Sequence, residues 1–366
     1  MNDIQKQPVS DDARAAWVTR GRIPYLDGFR ALAIVSVVLS HLRPQLPYPN
    51  VTIPVIANGH IGVTLFFVIS GFLITLLLLR EHERSGTVSI KNFYIRRVFR
   101  IFPAYFFYLG IFFVLQLLRY IHIESKYWIA SLFYAMCYMP NLNSAWEIAH
   151  TWSLSVEEHF YFLWPALFLW LKPQRALRVL LVYLVCIPLI RYAVWRFLGH
   201  RMDIDFASIT QMGSIATGCV LAFMANRSIF PSALERVQKA PVLFFSLGTV
   251  VLFVSDVLAR SGKYNILFHD PVSAVCFGVI LLSVLCMTTQ LSGLRRFLDA
   301  KPVVFIGLMS YSIYLWQEPF TSKGVFAQHL PHWTIHVSFI LLTALFSYWC
   351  IEKPFLRIKE KRYSNA

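Results

Sequence analysis

The run from His60 to Leu79, "HIGVTLFFVISGFLITLLLL", decides the class of this protein. It holds no Asp, Glu, Lys or Arg, and as a helix of about 20 residues it would span roughly 30 Å, the thickness of a bilayer's hydrocarbon core. Comparable apolar windows recur along almost the whole chain, near 25–42, 103–118, 152–171, 178–196, 207–225, 241–259, 271–291, 303–321 and 333–351. The composition agrees, with 57% hydrophobic residues, 16% aromatics, 14% charged residues and a mean hydropathy of +0.56. Such a chain is not a soluble globular domain. The expected fold class is an all-α integral membrane protein, a bundle of about ten transmembrane helices. The segment "WIASLFYAMCYMP" at 128–140 is too short to cross and reads as a re-entrant or interfacial piece.

Orientation follows from the basic residues, because short loops rich in Lys and Arg stay in the cytoplasm. With the N-terminus inside, the inner segments hold about three times as many Lys and Arg as the outer loops. Both termini are therefore expected in the cytoplasm, and the protein in the cell (inner) membrane as a multi-pass chain. The net charge of +15 is then accounted for by loops that meet anionic lipid headgroups, and a nucleic-acid partner is excluded. The first 20 residues are polar and mixed in charge, without the apolar core of a signal peptide. Six scattered cysteines form no C-x-x-C pair, so neither a disulfide framework nor a metal site is expected. No internal repeat or appended soluble domain stands out.

Four stretches carry candidate chemistry. In "YLDGFRALAIVSVVLSHL", residues 25–42, Arg30 and His41 are eleven positions apart, about three turns, and so share a helix face. Asp27 lies three residues before Arg30 on that face and could pair with it. Charges in lipid usually face a protein interior or a watery cavity. Taken alone, Asp27 and Arg30 would serve equally well as interfacial anchors, with His41 as a headgroup contact.

In "HTWSLSVEEHFYFLWP", residues 150–165, Ser153 and Glu157 share a face at i, i+4, at about the depth expected for His41. A carboxylate beside a histidine raises its basicity, which would make His41 a general base oriented by Glu157. Glu158 and His159 read instead as a solvated acidic helix start. In "NFYIRRVFRIFP", Arg97 and Arg100 are spaced i, i+3 and could converge on one phosphate, although basic residues beside a membrane helix are also the default of the positive-inside rule. "YSIYLWQEPF", residues 311–320, places Tyr311, Tyr314 and Glu318 within reach of one face with Gln317 alongside, an arrangement that alone could be an aromatic belt.

Together with "GVTLFFVISGFLIT", "GCVLA", "SYSIYLW" and "IEKPF", these stretches occur in the order found in the membrane acyltransferase-3 family, which includes bacterial O-acetylases of cell-surface polysaccharides. The chain resembles that family over residues 22–358, leaving 1–21 and 359–366 as cytoplasmic tails. The resemblance implies an enzyme, an O-acyltransferase that moves an acyl group, commonly acetyl, from cytoplasmic acyl-CoA to a hydroxyl of a cell-surface glycan or lipid-linked sugar. Acetyl-CoA would be a co-substrate, with no tightly bound cofactor. On the same grounds Arg30 and His41 match the family's essential Arg and His, Arg97 and Arg100 the pair associated with the CoA donor, and Glu157 the glutamate after Trp-Ser-Leu. Asp27, Ser153, Tyr311, Tyr314, Gln317 and Glu318 are supporting candidates. Two positions depart from the pattern. Gln317 stands where many members have His, so no proton transfer is assigned there, and Thr64 stands where many have Asp. Some members carry an outer hydrolase-like domain for later transfer steps; none is read in these 366 residues.

The competing class is a multi-pass transporter or flippase with Asp27, Arg30 and His41 as a proton or substrate relay. Thioester consumption separates the two readings, and the paired repeats common in transporters are absent. A glycosyltransferase would want acidic residues in large outer loops, and these loops are short. The sequence leaves open the acceptor, the acyl chain length, an acyl-His41 intermediate and the oligomeric state.

Overall fold

The computed structural model describes residues 23, 25–46, 58–198, 204–225, 231–287 and 291–363. The expected tail at 1–21, and residues 364–366 of the C-terminal one, lie outside the described residues. Helices succeed one another as α1 (Leu26–Leu42), α2 (Gly59–Ser85), α3 (Ile90–Leu117), α4 (Ser125–Leu132), α5 (Thr151–Leu198), α6 (Ser208–Ala225), α7 (Pro231–Lys239), α8 (Pro241–Leu258), α9 (Gly262–Cys286), α10 (Ser292–Leu298), α11 (Lys301–Leu308), α12 (Ser310–Trp316) and α13 (Trp333–Lys361). Among the described residues there is no strand.

Seven of these helices, α2, α3, α5, α6, α8, α9 and α13, are long and apolar enough to cross a membrane. The sequence predicts about ten spans, and the difference has three local causes. α1 is 17 residues long. The expected spans 152–171 and 178–196 run together in α5, interrupted at Lys172, whose φ of 64° and ψ of 157° leave the helical region. Pro173 follows it, and a proline both lacks an N–H and disfavours helical backbone in the residue before it. The expected span 303–321 is divided at Met309 into α11 and α12, of 8 and 7 residues.

The sequence sets several helix ends. Asn58 caps α2, its side-chain oxygen accepting from the backbone N–H of His60 and Ile61 at 3.1 and 3.4 Å. Gly86 closes the same helix at φ 72°, where its N–H donates to the carbonyl of His82. Ser89 then caps α3 through the N–H of Asn92.

The centre of the bundle is α2, which packs on α6, α1 and α9. α2 and α6 are mostly buried, whereas α3, α8 and α13 turn most of their surface outward, as lipid-facing helices do. Glycines let the central helices meet backbone to backbone. A Cβ on Gly71 would lie 1.9 Å from the Ile215 carbonyl oxygen of α6, and one on Gly218 would lie 2.0 Å from that of Val68 on α2. Small residues at crossings are the means by which membrane helices gain van der Waals contact. α11 crosses α1 in the same way, with Gly307 against the carbonyl of Asp27.

Candidate active site

Two cavities open around α1 and α2. The first, of about 450 Å³, is lined by Arg30 near the start of α1, Ser70 and Arg80 along α2, Arg96, Arg97 and Arg100 on α3, Glu157 and Tyr161 on α5, Tyr311 and Tyr314 on α12, and Lys359 on α13. The second, of about 630 Å³, is lined by His41 at the far end of α1, Asn58 and His60 at the start of α2, and Trp146, His150, Trp152, Asp205, His269 and Glu318. α1 and α2 run antiparallel, so the two cavities occupy opposite ends of the same helix pair, and Arg30 and His41 stand about 16 Å apart along α1. Val63 and Tyr314 line both cavities. They form the partition between them.

The arginine cavity combines six cationic side chains with the carboxylates of Glu81 and Glu157. Arg30 lies 3.9 Å from Asp27 across one helical turn. Arg96 pairs with Glu81 at 3.3 Å. The Arg97 guanidinium stands 4.1 Å over the Tyr161 ring and 5.7 Å from the Phe93 ring centroid, which orients it without neutralising it. Arg100 interacts with Glu352, whose carboxylate also accepts from Ser312 Oγ at 2.8 Å. Tyr311 donates to the carbonyl of Ile101 at 2.9 Å.

Glu157 belongs to this cavity. Its carboxylate accepts from Ser70 Oγ at 2.8 Å and lies in the field of Arg97 and Arg30. The expectation that Glu157 orients His41 is therefore corrected. The reason is the helix start: α5 begins at Thr151, so six residues of rise carry Glu157 about 9 Å along the helix toward the arginine side. Glu158 and His159 also differ from a solvated helix start, since both are half-buried and His159 Nδ1 meets Ser208 Oγ at 2.8 Å. Ser153 stays at the partition, 2.5 Å from the Tyr314 hydroxyl, which donates to the His150 carbonyl at 2.9 Å.

His41 is oriented from α12 and the turn after it. Its Nδ1 lies 2.7 Å from Gln317 Oε1 and 3.4 Å from Glu318 Oε1. An amide oxygen and a carboxylate oxygen both accept, so the pair places the ring proton on Nδ1 and leaves Nε2 with its lone pair, able to accept a proton. The far side of the ring faces Gly59, where a Cβ would come 3.9 Å from Nε2. The Trp146 ring packs edge-on against the imidazole at 5.8 Å, its Nε1–H donating to the Glu318 carbonyl. Ser322 Oγ holds the His41 backbone carbonyl. The His41 side chain remains 28% exposed, enough for a substrate to reach it. In the turn beside Trp146, outside the long helices, burial pushes the Glu147 carboxyl above its usual range.

Further groups at the histidine cavity were not singled out from the sequence. His150 is buried and both its ring nitrogens lack a hydrogen-bond partner among the described residues. It lies two residues before Trp152 of the Trp-Ser-Leu stretch, a position whose only signal is its neighbours. Arg191, fully buried in α5, contacts Asp270 Oδ2 at 2.7 Å and Asp205 Oδ1 at 3.2 Å. A charge within an apolar run predicts a partner. Which acid supplies it depends on residues far away in the chain.

The family model described as an acyltransferase domain matches residues 23–352. The chain belongs to that acyltransferase family. Similar proteins include the peptidoglycan O-acetyltransferase OatA of Listeria monocytogenes, 29% identical over 325 residues that cover 84% of this chain and 50% of the relative. The O-acetyltransferase OatA of Staphylococcus aureus is 29% identical over 359 residues, covering 91% and 57%. The putative peptidoglycan O-acetyltransferase YrhL of Bacillus subtilis is 28% identical over 365 residues, covering 91% and 54%. The chain thus spans about half the length of these relatives. No solved structure matches it. Family membership and seven apolar helices together make it a multi-pass membrane acyltransferase-family protein.

Proposed function

We propose that this chain is an O-acetyltransferase that takes acetyl from cytoplasmic acetyl-CoA and places it on a hydroxyl of a cell-surface glycan or its lipid-linked precursor. The observation that carries this reading is the pair of cavities at opposite ends of α1 and α2, one rich in arginine and one holding a histidine base, in contact through Val63 and Tyr314. The bias of Lys and Arg supports a cytoplasmic position for the arginine cavity in this reading. CoA phosphates, costly to bury in hydrocarbon, would stay with Arg97, Arg100 and Arg30. The slender pantetheine arm would pass the Tyr314 partition and bring the thioester to His41.

There the acceptor hydroxyl oxygen attacks the thioester carbonyl carbon while its proton passes to His41 Nε2. The C–S bond then breaks, and the departing CoA thiolate recovers that proton from the imidazolium. Gln317 holds Nδ1–H in place, and the Glu318 carboxylate stabilises the positive ring at the moment it forms. Glu157 and Ser70 anchor the donor side.

The test is release of free CoA from acetyl-CoA by the purified protein with glycan acceptors, beside His41→Ala. General base catalysis is worth about 10²- to 10⁴-fold, so the variant is expected to lose at least about 100-fold in acceptor-stimulated release while remaining folded. Equal release by variant and parent would overturn the role of His41. A transporter would bind or move its substrate and release no CoA at all.

A further inference from the structure

The histidine cavity has a second polar wall that the transfer step leaves unused. At the start of α2, Asn58 donates to Asp256 Oδ1 at 2.9 Å and His60 Nε2 meets Asp270 Oδ1 at 2.6 Å. Asp205 joins them through Arg191, which bridges it to Asp270. Asn58, His60, Asp205 and His269 all face the same cavity as His41.

Three kinds of occupant can be weighed. A metal ion is suggested by His60, Asp205 and Asp270, whose potential ligand atoms lie within 4.8 Å of one another. Asp270 is already saturated, however. Its Oδ1 is held by His60, and its Oδ2 by Arg191 at 2.7 Å and Gln211 at 3.0 Å. The Arg191 guanidinium, fully buried, holds a positive charge where the ion would need none. An anionic guest meets the opposite difficulty, since among the described residues Asp205 and Asp270 flank Arg191 here and Asp256 lies beside Asn58 and His269. An uncharged polyhydroxy group avoids both. Its hydroxyls can donate to the Asp205 carboxylate, which is 37% exposed, and accept from or donate to His60. Elsewhere on the cavity, His150 is buried with both ring nitrogens unpartnered, and Glu318 is buried with Oε2 unpartnered. Buried polar atoms of that kind call for a ligand or water to complete them. Trp146 and Phe206 supply the apolar surface that covers the non-polar face of a sugar ring.

We propose that the Asn58, His60 and Asp205 wall is an acceptor subsite, which binds an uncharged sugar adjoining the one acylated at His41 and selects against anionic sugars. This rests on the acyl-transfer reading, to which it adds the charge class of the acceptor. Asp205 and His60 are binding residues here, outside the proton-transfer step.

The experiment uses the full chain in detergent with two probes, chitotetraose as the neutral sugar and tetragalacturonate as the anionic one. Sugar binding is measured without donor, and CoA release is measured with acetyl-CoA. The parent is expected to prefer chitotetraose. Asp205→Asn should weaken chitotetraose binding about tenfold, the effect of losing one charge-assisted hydrogen bond, and should narrow the preference over the uronate. The KM for acetyl-CoA should not move. A purely structural role for Asp205 would affect both sugars and the donor alike. His60→Gln, which retains a hydrogen bond to Asp270, carries the same expectation if Asp205→Asn proves unstable. The subsite is overturned if neither sugar binds, if the parent prefers the uronate, or if the variants leave both affinities unchanged. Binding that follows these expectations without any CoA release would uphold the subsite and overturn acyl transfer.

Discussion

At the scale of single residues, the direction in which His41 presents its lone pair depends on Gln317. An amide oxygen 2.7 Å from Nδ1 cannot donate, so it selects the tautomer that leaves Nε2 basic. Gln317→Leu is therefore expected to lower kcat about tenfold with the KM for acetyl-CoA unchanged, whereas Gln317→Glu, which keeps an acceptor at Nδ1, should retain most of the activity. Steady-state CoA release resolves the two parameters. An unchanged kcat in Gln317→Leu would mean that Glu318 alone, 3.4 Å away, is sufficient. On the opposite side, the proposed role of Arg97 and Arg100 is to hold the donor in the ground-state complex. Arg97→Ala or Arg100→Ala should each raise the KM for acetyl-CoA about tenfold, the loss of one phosphate contact, while kcat stays within about threefold. A fall in kcat at unchanged KM would contradict donor anchoring.

At the scale of the helix, the site exists because α1 and α2 are held close by elements that permit backbone contact. α2 meets α6 at Gly71 and Gly218, where any side chain would strike a carbonyl oxygen about 2 Å away. Neither helix can yield locally, because what is struck is backbone. Gly218→Val is expected to cost at least about 3 kcal/mol and to lower the melting temperature or the folded yield in detergent. A variant with unchanged thermal stability would mean that α6 shifts as a body. The interruption of α5 at Lys172 has a simpler origin in Pro173, which ends one helical segment and allows the next to start at a new angle.

At the scale of the whole molecule, the proposed transfer requires the arginine and histidine cavities to lie on opposite faces of the membrane. Thr87, in the exposed turn between α2 and α3, belongs to the arginine end, and Ser144, in the exposed segment before Trp146, to the histidine end. In a background without native cysteines, Ser144→Cys should be labelled by a membrane-impermeant maleimide added to intact cells or spheroplasts. Thr87→Cys should be labelled only after the membrane is opened. The reverse pattern would invert the topology and separate the arginine cavity from cytoplasmic CoA.

The residue pattern by itself determined the helical membrane class, the family and most of the chemically distinctive residues, because apolar length, charge within apolar runs and ordered motifs are local properties. Arg30 with Asp27, Arg97 with Arg100, and His41 at the end of α1 all follow from spacing along single helices or from motif order, whereas the seat of Arg97 over Tyr161 joins two helices. The tertiary structure alone decided who partners whom. Glu157 was expected beside His41 from an estimate of depth, but the start of α5 at Thr151 carries it to Ser70 and the arginines, and Gln317, 276 residues from His41, takes its place. Arg191, Asp205 and Asp270 likewise meet only because α5, the turn before α6, and α9 converge. Helical periodicity predicts which face of its own helix a side chain occupies. Which neighbour that face meets is settled by the packing of the bundle, where glycine contacts and helix starts shift registers by several ångströms.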